Sequence, residues 1–156
     1  MTPAGVEVVG AFRHGGQARH LIHRLKYHAD LGAGRALATA MANRVDADWG
    51  CLVPVPRATT RRLRYGIDPA RWLAAEVARS SGLPVVDALR AGLWWPRHAG
   101  TQARQPPALR LGRRPGPAPV LVDDVVTTGA TLDRAAALVG APRALVATVA
   151  IGPNGP

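Results

Sequence analysis

The sequence predicts an α/β fold in which a mainly parallel sheet is flanked by helices. Short apolar runs alternate along the chain with stretches whose apolar positions recur at helical spacing, the order that parallel crossovers impose. Residues 119–132 give the same signal in one stretch. There an apolar run ends in two adjacent acids, then come a hydroxyl-rich turn with a glycine and an alanine-rich segment, which reads as strand, loop and helix start. A length of 156 residues suits a single domain spanning 1–156, long enough to bury a core.

Residues 6–12 form the first expected strand, closed by Gly15 and Gly16. Ala18, Leu21, Ile22 and Leu25 follow at i, i+3, i+4 and i+7, so a helix over residues 17–27 buries that stripe. His14, His20, His23 and His28 lie in or beside it. No pair of them is four apart and no cysteine or acidic cluster joins them, so they read as solvated or hydrogen-bonded side chains and not as metal ligands. A second helix over residues 34–44 carries Leu37, Ala40, Met41 and Val45 on one face. Residues 52–56 are a short apolar strand hemmed by Pro54 and Pro56, and Cys51 at its start reads as a small buried residue.

Arg57, Arg61, Arg62 and Arg64 follow that strand as a basic loop. Asp68 as N-cap and Pro69 as first helical residue start a helix running to about residue 80, with Gly82 as its stop. Residues 83–88 look like another strand. The stretch 90–119 holds Trp94, Trp95, five arginines after Arg90 and six prolines without periodicity. It reads as one long loop, lid-like and flexible over about 91–118, of the kind that excludes water from a hydrolysable substrate. Trp94 and Trp95 would anchor the lid, stack a base, or contact a second copy in a homodimer. Residues 132–140 and 143–151 complete the chain as a helix and a strand.

A formal net charge of +10 points to an anionic partner, either nucleic acid or a multiply charged small phosphate. Nineteen of the twenty basic residues are arginine, which suits bidentate phosphate contacts but also follows from a GC-rich genome. Only 4% of residues are aromatic, which weakens the case for a single-strand stacking platform. No apolar run reaches the length of a membrane span, the first ten residues lack the pattern of a secretory signal, and a lone cysteine excludes an internal disulfide. A cytoplasmic setting without membrane association is the expectation.

The chemistry of the central stretch follows from its order. Gly129 lets the backbone bend closely round a ligand, and Thr127, Thr128 and Thr131 offer hydroxyls beside the N–H groups that a helix leaves unpaired in its first turn. A helix N-terminus carries about half a unit of positive charge, so a phosphate monoester suits it. Asp123 and Asp124 would repel that phosphate if they faced it. They are better employed accepting hydrogen bonds from hydroxyls further along the same ligand, or holding a cation near it. Phosphate at one end and a diol a few ångströms away describes a ribose 5-phosphate. The arginine loop after residue 56 lies at the strand end where parallel sheets put ligands, and offers a second anion site.

The string from Val120 to Leu132, with its two acids and Thr-Thr-Gly-x-Thr, resembles the phosphoribosyl-diphosphate (PRPP) motif of type I phosphoribosyltransferases. Taken with Ala11-Phe12-Arg13-His14-Gly15, the Leu21 to Tyr27 helix, and Leu52-Val53-Pro54-Val55-Pro56 through Tyr65-Gly66, the chain is similar to the ComF family. These are phosphoribosyltransferase-like proteins associated with DNA uptake and competence in bacteria. The resemblance implies the type I phosphoribosyltransferase fold and a glycosyltransferase of nucleotide metabolism. It implies that Asp123 and Asp124 are the catalytic acids on the ribose hydroxyls. It further implies that Thr127, Thr128, Gly129, Ala130 and Thr131 cradle the 5-phosphate, and that Pro56, Arg57, Arg62 and Arg64 belong to the pyrophosphate loop. Mg2+ would bridge pyrophosphate and ribose oxygens, keeping several waters and needing no direct protein ligand. Lys26 matches a lysine of the family.

The chain departs from that pattern in three places. The family's usual cysteine-rich metal-binding segment has no counterpart, its Arg-Gly-Phe-Asn-Gln reads Tyr65-Gly66-Ile67-Asp68-Pro69 here, and of its stretch before the central motif only Gln102 has a match. Purine-salvage enzymes carry an aspartate where Thr127 stands and a lysine where Ala130 stands, and a hydroxyl without an activating base is a poor proton acceptor. Purine transfer is therefore not expected. The expected function is PRPP-dependent transfer of a 5-phosphoribosyl group to an unidentified acceptor, with release of pyrophosphate. The alternative is a non-catalytic protein that senses PRPP or a nucleotide, or handles single-stranded DNA.

Overall fold

The computed structural model describes residues 1–56, 66–92 and 108–150. Its centre is a sheet of four parallel strands: β1 (Glu7–Arg13), β2 (Cys51–Pro54), β5 (Pro119–Val126) and β6 (Arg143–Val149), in the order β1-β6-β5-β2. Helices α1 (Gly16–His28) and α2 (Leu31–Ala42) join β1 to β2, α3 (Pro69–Ser81) follows β2, and α4 (Ala130–Val139) joins β5 to β6. The expected α/β architecture with a mainly parallel sheet flanked by helices is therefore present.

Side-chain alternation divides the core into two layers. Leu52, Val120, Val122, Leu145 and Ala147 point to the face covered by α1, α2 and α3, where they meet Leu25, Leu37, Met41 and Leu73. Val53, Leu121, Ala144 and Val146 point the other way, onto Leu132, Ala135 and Val139 of α4. Both faces are covered, which is why these strands read as continuous apolar runs. Each fully buried leucine contributes about 1.5–3 kcal/mol through removal of apolar surface from water. Gly34 lets α2 and α3 approach: a Cβ there would meet the Trp72 ring at 2.4 Å.

The local start and stop signals act as the sequence implies. The Asp68 carboxylate accepts from Arg71 N–H, Pro69 opens α3, and Gly82 closes it in the left-handed region at φ 76°. Asp30 caps α2 by accepting from Ala33 N–H at 3.0 Å, and starts that helix three residues earlier than its apolar stripe suggests.

Two expectations are corrected. Residues 83–88 do not form a full strand; Val85 alone bridges Leu52 in parallel, with Leu52 N–H donating to Pro84 O and Val86 N–H to Leu52 O. The stretch 90–119 is not loop throughout, because its ends form an antiparallel ribbon of β3 (Leu89–Ala91) and β4 (Leu109–Leu111). Leu89 and Leu109 are anchored in the α4-side core, and that burial holds the ribbon together. Trp94, Trp95 and Gln102 lie outside the described residues, as does most of the lid-like segment. Cys51 is buried, as expected. Among the described residues no helix is long and apolar enough to cross a membrane.

The connections fix where a ligand would bind. From β5 the chain leaves through α4 to β6 on one side, and from β2 it leaves through α3 to the Val85 bridge on the other. Connections that diverge between neighbouring parallel strands open a crevice outside their C-terminal ends. Here those ends carry residues 54–56 and 126–129.

Candidate functional site

Strand β5 does not stop at its acids. Asp123 pairs in register with Val146, and pairing continues through Val125 with Thr148 and Val126 with Val149. The strand was expected to end at the carboxylates. It continues because β6 runs alongside to Val149 and supplies the backbone partners, while two β-branched residues after the acids suit the pleat. Asp123 and Asp124 therefore leave the strand in different directions and meet different surroundings.

Asp124 is buried, and its Oδ1 lies 2.9 Å from Lys26 Nζ near the end of α1; the two side chains retain 10% and 19% exposure. Asp123 keeps partial exposure, and its Oδ1 accepts from Asp124 N–H at 2.8 Å. Burial of its carboxyl, and next the adjacent Asp124 charge, push the pKa of Asp123 up to about 8, with Asp68 adding to the rise; the Asp124 N–H and the Lys26 charge oppose it. One ammonium serves two neighbouring carboxylates, and the one it touches is Asp124. The residue as a whole is part-buried, and burial of its carboxyl and the neighbouring like charge act together against its ionised form.

Beyond β5, Thr127 and Thr128 are exposed, Gly129 is buried at φ 79°, and α4 begins at Ala130 with Thr131 half-buried. No side chain caps this helix. Its one first-turn acid, Asp133, turns away to the start of the chain, accepting from Thr2 Oγ1 and, at 3.3 Å, from Ala4 N–H. Among the described residues no side chain accepts from the first-turn N–H groups of α4. Gly129 is fixed by space as well as by its positive φ. A Cβ there would lie 2.8 Å from Thr2 Cγ2 and 3.3 Å from Pro3 Cδ. The segment 2–6 is itself held by Thr2 N–H to Val6 O and Val6 N–H to Thr2 Oγ1. Thr2 and Asp133 were missed by the sequence reading, since nothing local links residues so far apart.

Further along the same edge of the sheet, His14 Nδ1 lies 2.9 Å from Thr148 Oγ1, and Thr148 Oγ1 donates to Asp124 O at 3.4 Å. His20, His23 and His28 are exposed, with His23 against Tyr27 at a ring separation of 4.7 Å.

Pro56 stands at the C-terminal end of β2, on the same edge as residues 127–129. Arg57, Arg62 and Arg64, expected to form a second anion site, lie outside the described residues. Beside Pro56 is a cleft of about 720 Å³ lined by Pro54, Pro56, Asp68, Arg71 and Arg90 among others. It touches none of residues 123–131. Its Arg71 is already held by Asp87, with Nε and Nη2 donating at 3.0–3.2 Å. Among the described residues no group of three His, Cys, Asp or Glu side chains gathers to hold a metal. A Mg2+ ion here would take its oxygens chiefly from ligand phosphates and water. No protein-family model matches this chain, and no curated protein matches its sequence.

Proposed function

We propose that the C-terminal edge of the sheet binds the ribose 5-phosphate part of PRPP, and that the protein is a phosphoribosyltransferase of type I fold related to the ComF proteins. The observation that carries this reading is the α4 N-terminus: a helix start without a side-chain cap, preceded by Thr127, Thr128 and Gly129, just beyond a strand whose Asp123 carboxyl touches no cation among the described residues. The 5-phosphate accepts from the first-turn N–H groups and the threonine hydroxyls, with Gly129 setting the turn and the small Ala130 leaving room for it. Asp123 accepts from the ribose hydroxyls. The pyrophosphate lies toward Pro56 and the arginines Arg57, Arg62 and Arg64.

The transfer breaks the bond between ribose C1 and the pyrophosphate oxygen and forms one from C1 to the acceptor nucleophile, through an oxocarbenium-like state. Pyrophosphate leaves with the electron pair, and the negative charge growing on it is what arginines and backbone N–H groups stabilise. Bound Mg2+ would supply further neutralisation of the phosphate oxygens. Thr127 stands where a purine-specific base would be needed, so the acceptor is sought outside the purines. Incubation with PRPP, Mg2+ and a panel of amines and pyrimidine bases should release pyrophosphate with at least one of them. Absence of both PRPP binding and release would refute this function.

A second reading, PRPP or nucleotide sensing without turnover or the handling of single-stranded DNA, is favoured by the net charge of +10 and by the exposed face of α1, where Arg19, His20, His23, Arg24 and Tyr27 stand together. Affinity for DNA that falls steeply with salt, together with PRPP binding but no release, would select it.

A further inference from the structure

The chain holds a single lysine beside nineteen arginines. That lysine, Lys26, is the cation against Asp124, far away in sequence, at 2.9 Å and largely buried. An ammonium is compact and can aim its three donors, whereas a guanidinium is a planar fork of five donors that would be left partly unmet in so enclosed a place. Whatever favours arginine elsewhere in the chain, the charge beneath β5 is a lysine.

Asp124 is also fixed from its backbone side, where its carbonyl accepts from Thr148. Among the described residues the charged groups facing Asp123 are Asp124 from its own strand, Lys26 from α1 and Asp68 from the start of α3. Of the two adjacent carboxylates, one is thus enclosed and neutralised, and the other is part-exposed beside the phosphate loop.

We propose that Lys26 is a positioning residue of the ribose phosphate site: by pairing with Asp124 it anchors that carboxylate inside the sheet, and leaves Asp123 as the member of the pair that receives the ribose hydroxyls. This inference rests on the ribose phosphate reading and divides the roles of its two acids. Without the lysine, Asp124 is an uncompensated charge next to Asp123. It then turns toward water and into the space the ribose would occupy, repelling the phosphate.

The test uses ribose 5-phosphate as probe, titrated calorimetrically into the full chain and into Lys26→Met, Lys26→Arg, Asp124→Asn and the Lys26→Met/Asp124→Asn double variant. Folding is checked by circular dichroism, and Asp123 is followed by carboxyl-carbon NMR across pH. Lys26→Met should weaken binding at least about tenfold, which is about 1.4 kcal/mol. Lys26→Arg should recover part of that loss. The double variant should bind no worse than Lys26→Met, the non-additivity expected of two residues that act through one another. Because the Lys26 charge opposes the rise at Asp123 and the Asp124 charge drives it, the titration of Asp123 should move up in Lys26→Met and down in Asp124→Asn. A purely structural role would leave that titration in place. Should Lys26→Met not fold, Lys26→Arg and the double variant carry the same comparison. Ribose 5-phosphate binding equally to the wild type and the Lys26 variants, or an unmoved Asp123 titration, would overturn the inference and leave the site reading standing. No binding by the wild type would overturn both.

Discussion

Strand β6 meets charge at both of its ends, and the two ends are built differently. At its start, Arg143 donates to Glu7 Oε2 at 2.9 Å and to Asp48 Oδ2 at 2.6 Å, with side-chain exposures of 34%, 55% and 62% for the three partners. At its other end, Thr148 reaches the Asp124 carbonyl, and the Asp124 carboxylate meets Lys26 with both side chains mostly out of water. The first network tethers the ends of β1, β2 and β6 while solvent screens it. The second removes charge from water, which burdens stability unless the pairing is complete. A purely structural sheet has no need of two adjacent carboxylates on a central strand. Their presence at the C-terminal edge, next to an uncapped helix start, is what the proposed site adds to an otherwise structural sheet.

The contrast can be broken deliberately. The largest effect is expected at Lys26→Met, which leaves a buried carboxylate without its cation and should cost about 3–5 kcal/mol in chemical denaturation, with much of that recovered when Asp124→Asn is added. Next comes Gly129→Val. It forces a β-branched side chain into a left-handed backbone and against Thr2, and should cost about 1–3 kcal/mol and detach the 2–6 segment, visible as faster amide exchange of Val6. A smaller effect, readable only against pH, belongs to Asp123→Asn. The folded-state pKa of Asp123 is raised from 3.8 to about 8, so its proton stabilises the folded protein fully at low pH, and that contribution is lost as pH rises through the interval between those values. Wild-type Tm should decline across that interval, and the variant should show a flatter profile and be at least as stable above pH 8. The smallest effect is expected at the other end of the sheet. Arg143→Ala should cost less than about 1 kcal/mol and fade further in high salt. A larger loss there than at Lys26 would invert the comparison.

How much of this was legible in the sequence depended on how local each signal is. Asp68, Pro69 and Gly82 each act within a turn of their own position, and α3 was read from them to within a residue or so. The strand, loop and helix of residues 119–139 are one continuous string and were equally readable. The β3 and β4 strands are three residues each, and what holds them is the burial of Leu89 and Leu109 against α4, which no window of sequence contains. The same holds for Lys26 and Asp124, for Thr2 and Asp133, and for His14 and Thr148: each pair is joined only by the sheet order. The clues to Lys26 were its match to a lysine of the resembled family and its being the one lysine among arginines, and neither names its partner. The continuation of β5 past its acids was also hidden, because a pair of aspartates ordinarily marks a strand's end, and only the length of β6 alongside overrides that.

The central claim is that Asp123 and the residues 127–131 together hold a ribose 5-phosphate. It is tested most directly by calorimetric titration of ribose 5-phosphate into the wild-type chain and into Asp123→Asn above pH 8, where Asp123 is ionised. The account predicts saturable binding by the wild type and a loss of at least about tenfold in the variant, since hydrogen bonds to a carboxylate contribute about 1.5–3 kcal/mol. Equal affinity of the two proteins, or no binding by the wild type at millimolar sugar phosphate, would contradict it.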